Sequence, residues 1–80
     1  MELKYIVTRY GFAVFSKGET HKRMAAGMED EPLGAGFCTI ARGADSEFAN
    51  VHCYGESISL NIKSRPEDEE FINQKLKSHE

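Results

Sequence analysis

The shortness of the chain limits its fold more than any other feature. The 80 residues are enough for one domain, which we expect to span residues 1–80. A chain of this length buries only about 60–65% of the surface that its unfolded form exposes, so most apolar residues must go into one core. Little apolar surface is then left to line a deep substrate pocket, and this disfavours an enzyme.

The N-terminal segment predicts a β-hairpin. Residues 3–9 and 12–16 are rich in the β-branched and aromatic types that favour strands. Tyr10 and Gly11 separate the two runs, and glycine readily adopts the positive φ that tight hairpin turns require. Because strand 3–9 is apolar with few charged residues, we expect it to form an exposed sheet edge that supports a homodimer.

The middle of the chain predicts three further strands. Residues 34–42 and 50–54 have strand composition, and the turn-forming residues 43–46 lie between them. Residues 57–63 then alternate polar and apolar side chains, which is the pattern of a strand with one face in water. A sheet built from these strands would therefore have one buried face and one exposed face.

The alternation of side chains along these strands predicts which face is apolar. A two-residue turn at 55–56 would place Cys53 opposite Ile58. The same register would place Val51 opposite Leu60, so the apolar face would be continuous. The other face would be polar and partly aromatic, and it is the expected binding surface. Its candidate binding residues are Phe37, His52 and Tyr54.

Capping signals predict two helices. Residues 16–19 have capping-box spacing and Thr20 is a competing N-cap, so a short helix should run to about Met28. Residues 64–67 form a second such box, and the helix that it opens should run to about Lys77. Acidic residues at the start of this second helix and basic residues at its end both suit the helix dipole.

Together these elements predict the α+β class. The expected order is β-β-α-β-β-β-α. The simplest packing is an antiparallel sheet of four to five strands with both helices on one face.

The composition predicts neither a membrane segment nor export. No apolar run approaches the ~20 residues that a membrane helix needs. The first residues lack the layout of a signal peptide, and two cysteines are too few for a disulfide framework. We therefore expect a cytoplasmic protein with free thiols.

The spacing of histidine and cysteine fits no metal site. The chain has no C-x-x-C pair, and His52 and Cys53 are strand neighbours whose side chains should point to opposite faces. Cys53 with His21 or His52 is a conceivable pair of nucleophile and base, although a cysteine that faces the core is inert. We expect no metal, no cofactor and no catalytic residue, and a small cysteine-dependent enzyme is the second alternative.

The function that these patterns favour is a small non-enzymatic interaction module. Its partner would be another protein or a second copy, bound at a sheet edge or at the face with Phe37, His52 and Tyr54. The first alternative is a nucleic-acid accessory protein, because residues 1–28 carry five basic side chains against two acidic ones. Such a mild excess is more typical of a solvated surface, so nucleic acid is the less favoured partner. The candidate phosphate contacts are Lys4, Arg9, Lys17, Lys22 and Arg23, with Tyr5 or Tyr10 as stacking partners.

Overall fold

Four antiparallel strands form the main sheet of the protein. The structure is a computed structural model that describes residues 2–42 and 49–77. The strands lie in the order β2-β1-β3-β4. Their bounds are Glu2–Val7 for β1, Phe12–Phe15 for β2, Gly34–Arg42 for β3 and Ala49–Tyr54 for β4. The predicted turn at 43–46 lies outside the described residues.

Two helices and a small second sheet make up the rest of the regular structure in the described residues. Helix α1 spans His21–Ala26 and helix α2 spans Pro66–Lys77. The second sheet is a hairpin of two short strands, β5 at Glu56–Ser57 and β6 at Ile62–Lys63. The α+β class and the antiparallel sheet are confirmed. The order of elements differs from the prediction by one additional strand.

A threonine hydroxyl helps to close the turn of the predicted N-terminal hairpin. Val7 pairs with Phe12, and Thr8 N donates to Gly11 O at 2.8 Å. Gly11 N in turn donates to Thr8 Oγ1 at 3.2 Å. Among the described residues, positive φ occurs at Gly55 and Asn61, so this turn does not need the left-handed glycine that we expected.

Helix α1 begins at the second of its two candidate caps. Arg23 N donates to Thr20 Oγ1 at 3.1 Å, which identifies Thr20 as the N-cap. The hydroxyl of Ser16 instead accepts from Gly18 N. The helix ends at Ala26, about half a helical turn earlier than predicted, because Gly27 forms its C-cap.

The predicted strand 57–63 does not form. The chain turns sharply within it, where Leu60 N donates to the buried Ser57 Oγ at 3.2 Å and Asn61 adopts a left-handed φ of 56°. The side chain of Ile58 is consequently 89% exposed and does not lie opposite Cys53. Leu60 packs instead on the cluster around Ile6. The chain therefore turns within a segment whose alternating sequence had suggested a strand.

The two helices pack on opposite faces of the main sheet, contrary to the expectation of a single covered face. Ile72 of α2 packs with Tyr5 on what we call the α2 face. Met24 of α1 and the β5–β6 hairpin pack with Ile6 on the other side, the α1 face. Consecutive side chains of a strand point to opposite faces, and Tyr5 and Ile6 are both fully buried. The central strand β1 therefore requires a cover on each side.

Strand β1 is also not a sheet edge, since it lies between β2 and β3. The expected pairing of two copies through residues 3–9 is therefore wrong. One true edge is β4, and side chains of α2 bind its outer backbone groups. Val51 N donates to Asn73 Oδ1 at 2.8 Å, and Asn73 Nδ2 donates to Val51 O at 3.1 Å. Cys53 N donates to Glu69 Oε1 at 2.9 Å.

A buried carboxylate fixes the start of α2. Asp68 is fully buried and accepts from Arg65 N at 2.9 Å and from Arg65 Nε at 2.8 Å. The Tyr5 hydroxyl lies 2.7 Å from both Asp68 Oδ2 and Ser64 Oγ. Because the hydroxyl has a single proton, it donates that proton to the charged carboxylate. A Cβ at Gly34 would lie 2.0 Å from Asp68 Oδ2, so any larger residue there would displace the carboxylate. Asp68, rather than the predicted Glu67, thus completes the cap.

Candidate functional site

The three residues predicted to form a binding face lie side by side on the α1 face. Phe37 of β3 is the direct cross-strand partner of Tyr54 on β4, and their ring centroids are 6.3 Å apart with planes at 25°. The His52 ring stacks on the other side of Tyr54 at 5.8 Å and 28°. We call Phe37, Tyr54 and His52 the aromatic row. Stacked rings of this kind stabilise one another beyond the area that they bury.

Charged side chains hold two members of the row, the central Tyr54 and the outer His52. The Tyr54 hydroxyl donates to Glu2 Oε2, and Lys17 Nζ forms an ion pair with Glu2 Oε1 at 2.8 Å. The hydrogen bond to this carboxylate raises the pKa of Tyr54 to about 12, so the phenol is protonated at neutral pH. At the His52 end of the row, Glu69 Oε1 lies 2.8 Å from His52 Nδ1 and orients that ring.

His21 supports the row from beneath and is a packing residue. It is the buried first residue of α1, and its Nε2 donates to Gly36 O at 2.8 Å. Its ring meets Phe37 and Phe15 edge-on, at centroid distances of 6.1 and 5.5 Å. Burial lowers the pKa of His21, so the neutral ring is the form present at neutral pH. Its position fixes the orientation of Phe37.

A shallow groove opens next to the row, between the start of α1 and the β5–β6 hairpin. Its volume is about 280 Å³. Ile58 forms the rim and Phe37 the floor, while Lys4 reaches it from β1. The residues that line the groove include Thr20, His21, Phe37, Glu56, Ile58 and Ser59. No sequence pattern pointed to Ile58 as a site residue, although Asn61, a residue that tolerates left-handed φ, was a signal for a turn beside it.

The fold does not assemble the basic side chains of the N-terminal third into an open phosphate site. Lys17 is paired with Glu2, and Arg23 forms an ion pair with Glu19 at 3.7 Å. Lys4 Nζ donates to the backbone oxygen of Glu19 at 2.8 Å. These contacts place carboxylates among the cations, and carboxylates repel a phosphate backbone.

The aromatic residues suggested as base-stacking partners are also unsuited to that role. Tyr5 is fully buried and hydrogen-bonded to Asp68, so it cannot stack on a base. Tyr10 is exposed in the β1–β2 turn, where the Arg9 guanidinium lies 5.4 Å from its ring centroid. Lys22 is exposed on α1. The predicted stacking residues therefore do not lie together beside the basic side chains as one binding surface, since Tyr5 is in the core.

The cysteines lack the surroundings that activate a catalytic nucleophile. Burial raises the pKa of Cys38 to about 11 and that of Cys53 to about 12, so both thiols are protonated at neutral pH. Strand alternation directs Cys53 and His52 to opposite faces. Across residues 2–42 and 49–77, no cluster of three or more histidine, cysteine or carboxylate side chains could hold a metal ion.

Known proteins offer no guide to the role of this site. No protein-family model, no curated protein and no solved structure matches the chain. Within the described ranges, no helix is both long enough and apolar enough to cross a membrane. The arrangement itself offers an apolar groove, an exposed aliphatic rim and three stacked rings, which are features suited to binding a partner.

Proposed function

We propose that this protein is a small non-enzymatic binding module that holds an apolar side chain of a protein partner in the groove beside Phe37. Ile58 carries this proposal, because an isoleucine that is 89% exposed stands at the rim of a groove with an aromatic floor. The neighbouring aromatic row would extend the contact along β3 and β4.

The energetics favour a contact of this kind. Burying a fully exposed isoleucine contributes about 1.5–3 kcal/mol, and Ile58 has nearly its whole side chain available. Aromatic residues are enriched at the centres of protein interfaces because they bury a large area with few rotatable bonds. The rings of Tyr54 and His52 are already oriented by Glu2 and Glu69, so little ordering is needed on binding.

The charges around the row favour a protein over a nucleic acid. Glu2 contacts Tyr54, Glu69 contacts His52, and Glu56 lines the groove. A phosphate backbone that followed the stacked rings would approach all three carboxylates. A peptide segment with apolar side chains meets no such repulsion.

Peptide selection tests the proposal without a known partner. A phage-displayed random library is panned on immobilised wild-type protein, and the selected peptides are synthesised with a fluorescent label. We expect Ile58→Asp to weaken their binding at least about tenfold, since about 1.4 kcal/mol of apolar contact corresponds to that factor. Tyr10→Asp is the matched control, because Tyr10 is also an exposed apolar side chain but lies in the β1–β2 turn.

Two results would refute the proposal. One is equal affinity of the selected peptides for wild type and Ile58→Asp, and the other is a greater loss in Tyr10→Asp. Sedimentation of the wild type and Ile58→Asp tests the alternative occupant, a second copy of the chain. A dimer that Ile58→Asp dissociates would identify self-association as the use of the groove.

A further inference from the structure

We infer that Cys38 and Cys53 form a site of reversible oxidation, at which a disulfide can join β3 to β4. The two residues are direct cross-strand partners in the antiparallel pair. Both are free cysteines in this structure. A bond between them would connect the two strands that carry the aromatic row.

The hydrogen bonds of β4 define the type of cross-strand pair. Cys53 N donates to Glu69 and Val51 N donates to Asn73, so both amides point away from β3. Backbone groups of one residue in a strand point to the same side, so Cys53 and Cys38 do not exchange hydrogen bonds. They therefore form a non-hydrogen-bonded pair.

This type of pair brings cysteines within bonding range. Directly opposed residues of a non-hydrogen-bonded pair have Cα atoms about 4.5 Å apart, with the side chains closer than at hydrogen-bonded positions. Disulfides occur at Cα separations of about 4.4–6.8 Å. Rotation of both side chains about χ1 would thus bring the two Sγ atoms together, and oxidation could then join them without a change in the strand register.

The two cysteines differ in how accessible they are. Cys38 is fully buried, whereas Cys53 is half-buried and lines a groove of about 410 Å³ next to the start of α2. A small disulfide reagent would consequently meet Cys53 first. The thiol of Cys38 would act as the resolving group.

The oxidant that we name is a low-molecular-weight disulfide, with glutathione disulfide as the probe. Cys53 Sγ loses its proton and attacks one sulfur of the reagent, which releases one glutathione thiol and leaves a mixed disulfide. Cys38 Sγ then loses its proton and attacks Cys53 Sγ, which releases the second glutathione. The protein loses two protons and two electrons, and glutathione disulfide takes up both and is reduced to two thiols. Burial raises the pKa of both cysteines, so we expect this exchange to be slow.

Equilibration of the native protein in glutathione buffers tests the inference. Samples at several ratios of reduced to oxidised glutathione are alkylated with iodoacetamide in denaturant, so that every free thiol can react, and their masses are measured by mass spectrometry. We expect doubly alkylated protein in the reduced buffers. In the oxidised buffers we expect monomer that is unalkylated and lighter by two hydrogens, with a peptide map that links Cys38 to Cys53. The bond should also raise the urea midpoint of the oxidised form.

The variant Cys38→Ala separates this outcome from simple glutathione capture. It should accumulate the mixed disulfide at Cys53 and never show the two-hydrogen loss. The inference is overturned if the wild type also stops at the mixed disulfide, if it forms only intermolecular disulfides, or if it is still doubly alkylated in the most oxidised buffer. The wild-type measurement alone decides the matter should the variant fail to fold.

Discussion

Replacement of Asp68 by alanine should remove a large part of the stability of this protein. The carboxylate is fully buried, and Arg65 binds Oδ1 through Nε and Nη2 at 2.8 and 2.7 Å. The Tyr5 hydroxyl lies 2.7 Å from Oδ2. Asp68→Ala would leave that hydroxyl with Ser64 Oγ in place of a carboxylate as its acceptor, Arg65 without its counter-ion and the start of α2 without its cap.

The size of the loss follows from these contacts. Removal of one partner from a buried ion pair costs about 3–5 kcal/mol. Arg65 is partly exposed and water can solvate it, so we take the lower end, about 3 kcal/mol. Small proteins have about 0.05–0.15 kcal/mol of stability per residue, which gives about 4–12 kcal/mol here. The variant would therefore keep about 1–9 kcal/mol of stability, so it should still fold in water but unfold at a clearly lower urea concentration.

Urea unfolding followed by circular dichroism measures the effect. With an m value of about 1 kcal/mol/M, typical of a small domain, the midpoint should fall by about 3 M. Glu67→Ala is the matched control, because Glu67 is an exposed carboxylate in the same helical turn and should change stability by no more than about 0.5 kcal/mol. Equal losses in the two variants would refute the reasoning.

A double-mutant cycle with Gly34 makes the test specific to this contact. The added Cβ of Gly34→Ala would lie 2.0 Å from Asp68 Oδ2 and must displace the carboxylate. In the Asp68→Ala background that clash is absent, so Gly34→Ala should cost at least about 1 kcal/mol less there. Equal costs in both backgrounds would mean that Gly34 does not contact Asp68.

Three further predictions concern the core, the pH dependence and the thiols. Ile72→Ala should lower stability by about 2–5 kcal/mol in urea unfolding, because Ile72 is the fully buried apolar contact of α2, and a change below about 1 kcal/mol would make this helix peripheral. The lowered pKa of His21 means that its contribution to stability is complete above the ordinary value of 6.5 and is lost as the pH falls towards the folded-state pKa. A urea series from pH 7 to 5 should show this decline in wild type and a smaller one in His21→Gln. Cys38 and Cys53 should react slowly with DTNB in native protein and fully in denaturant, because Cys38 is buried and the pKa of the half-buried Cys53 is raised to about 12; rapid native labelling would contradict this.

Local patterns predicted most of the strands and the second helix well. Residues 34–42 form a strand with the predicted bounds, and the helix opened near Ser64 ends at Lys77 as expected. Alternation also placed Phe37, His52 and Tyr54 on one face, since this depends only on strand geometry.

The failures arose where tertiary contacts choose between local options. The segment 57–63 alternates as a strand would, but Ser57 Oγ and the left-handed Asn61 stabilise a turn, which sends Ile58 into solvent. The placement of the helices could have been predicted better. Tyr5, Ile6 and Val7 form a continuous apolar run, which is typical of a strand buried on both faces.

The contacts of α2 with β4 bear on how a partner can bind. An exposed edge strand usually invites strand addition, and β4 is an edge of the main sheet. Asn73 and Glu69 nevertheless occupy three of its outer backbone groups, so a partner strand would first have to displace α2. Within the described part of the chain, the other edge is β2, with only the four residues Phe12–Phe15 to offer. Strand addition is thus unfavourable at β4 and limited to a short strand at β2. The groove beside Ile58, by contrast, can take a partner's side chain without any rearrangement of the sheet. This difference favours docking of side chains over pairing of backbones.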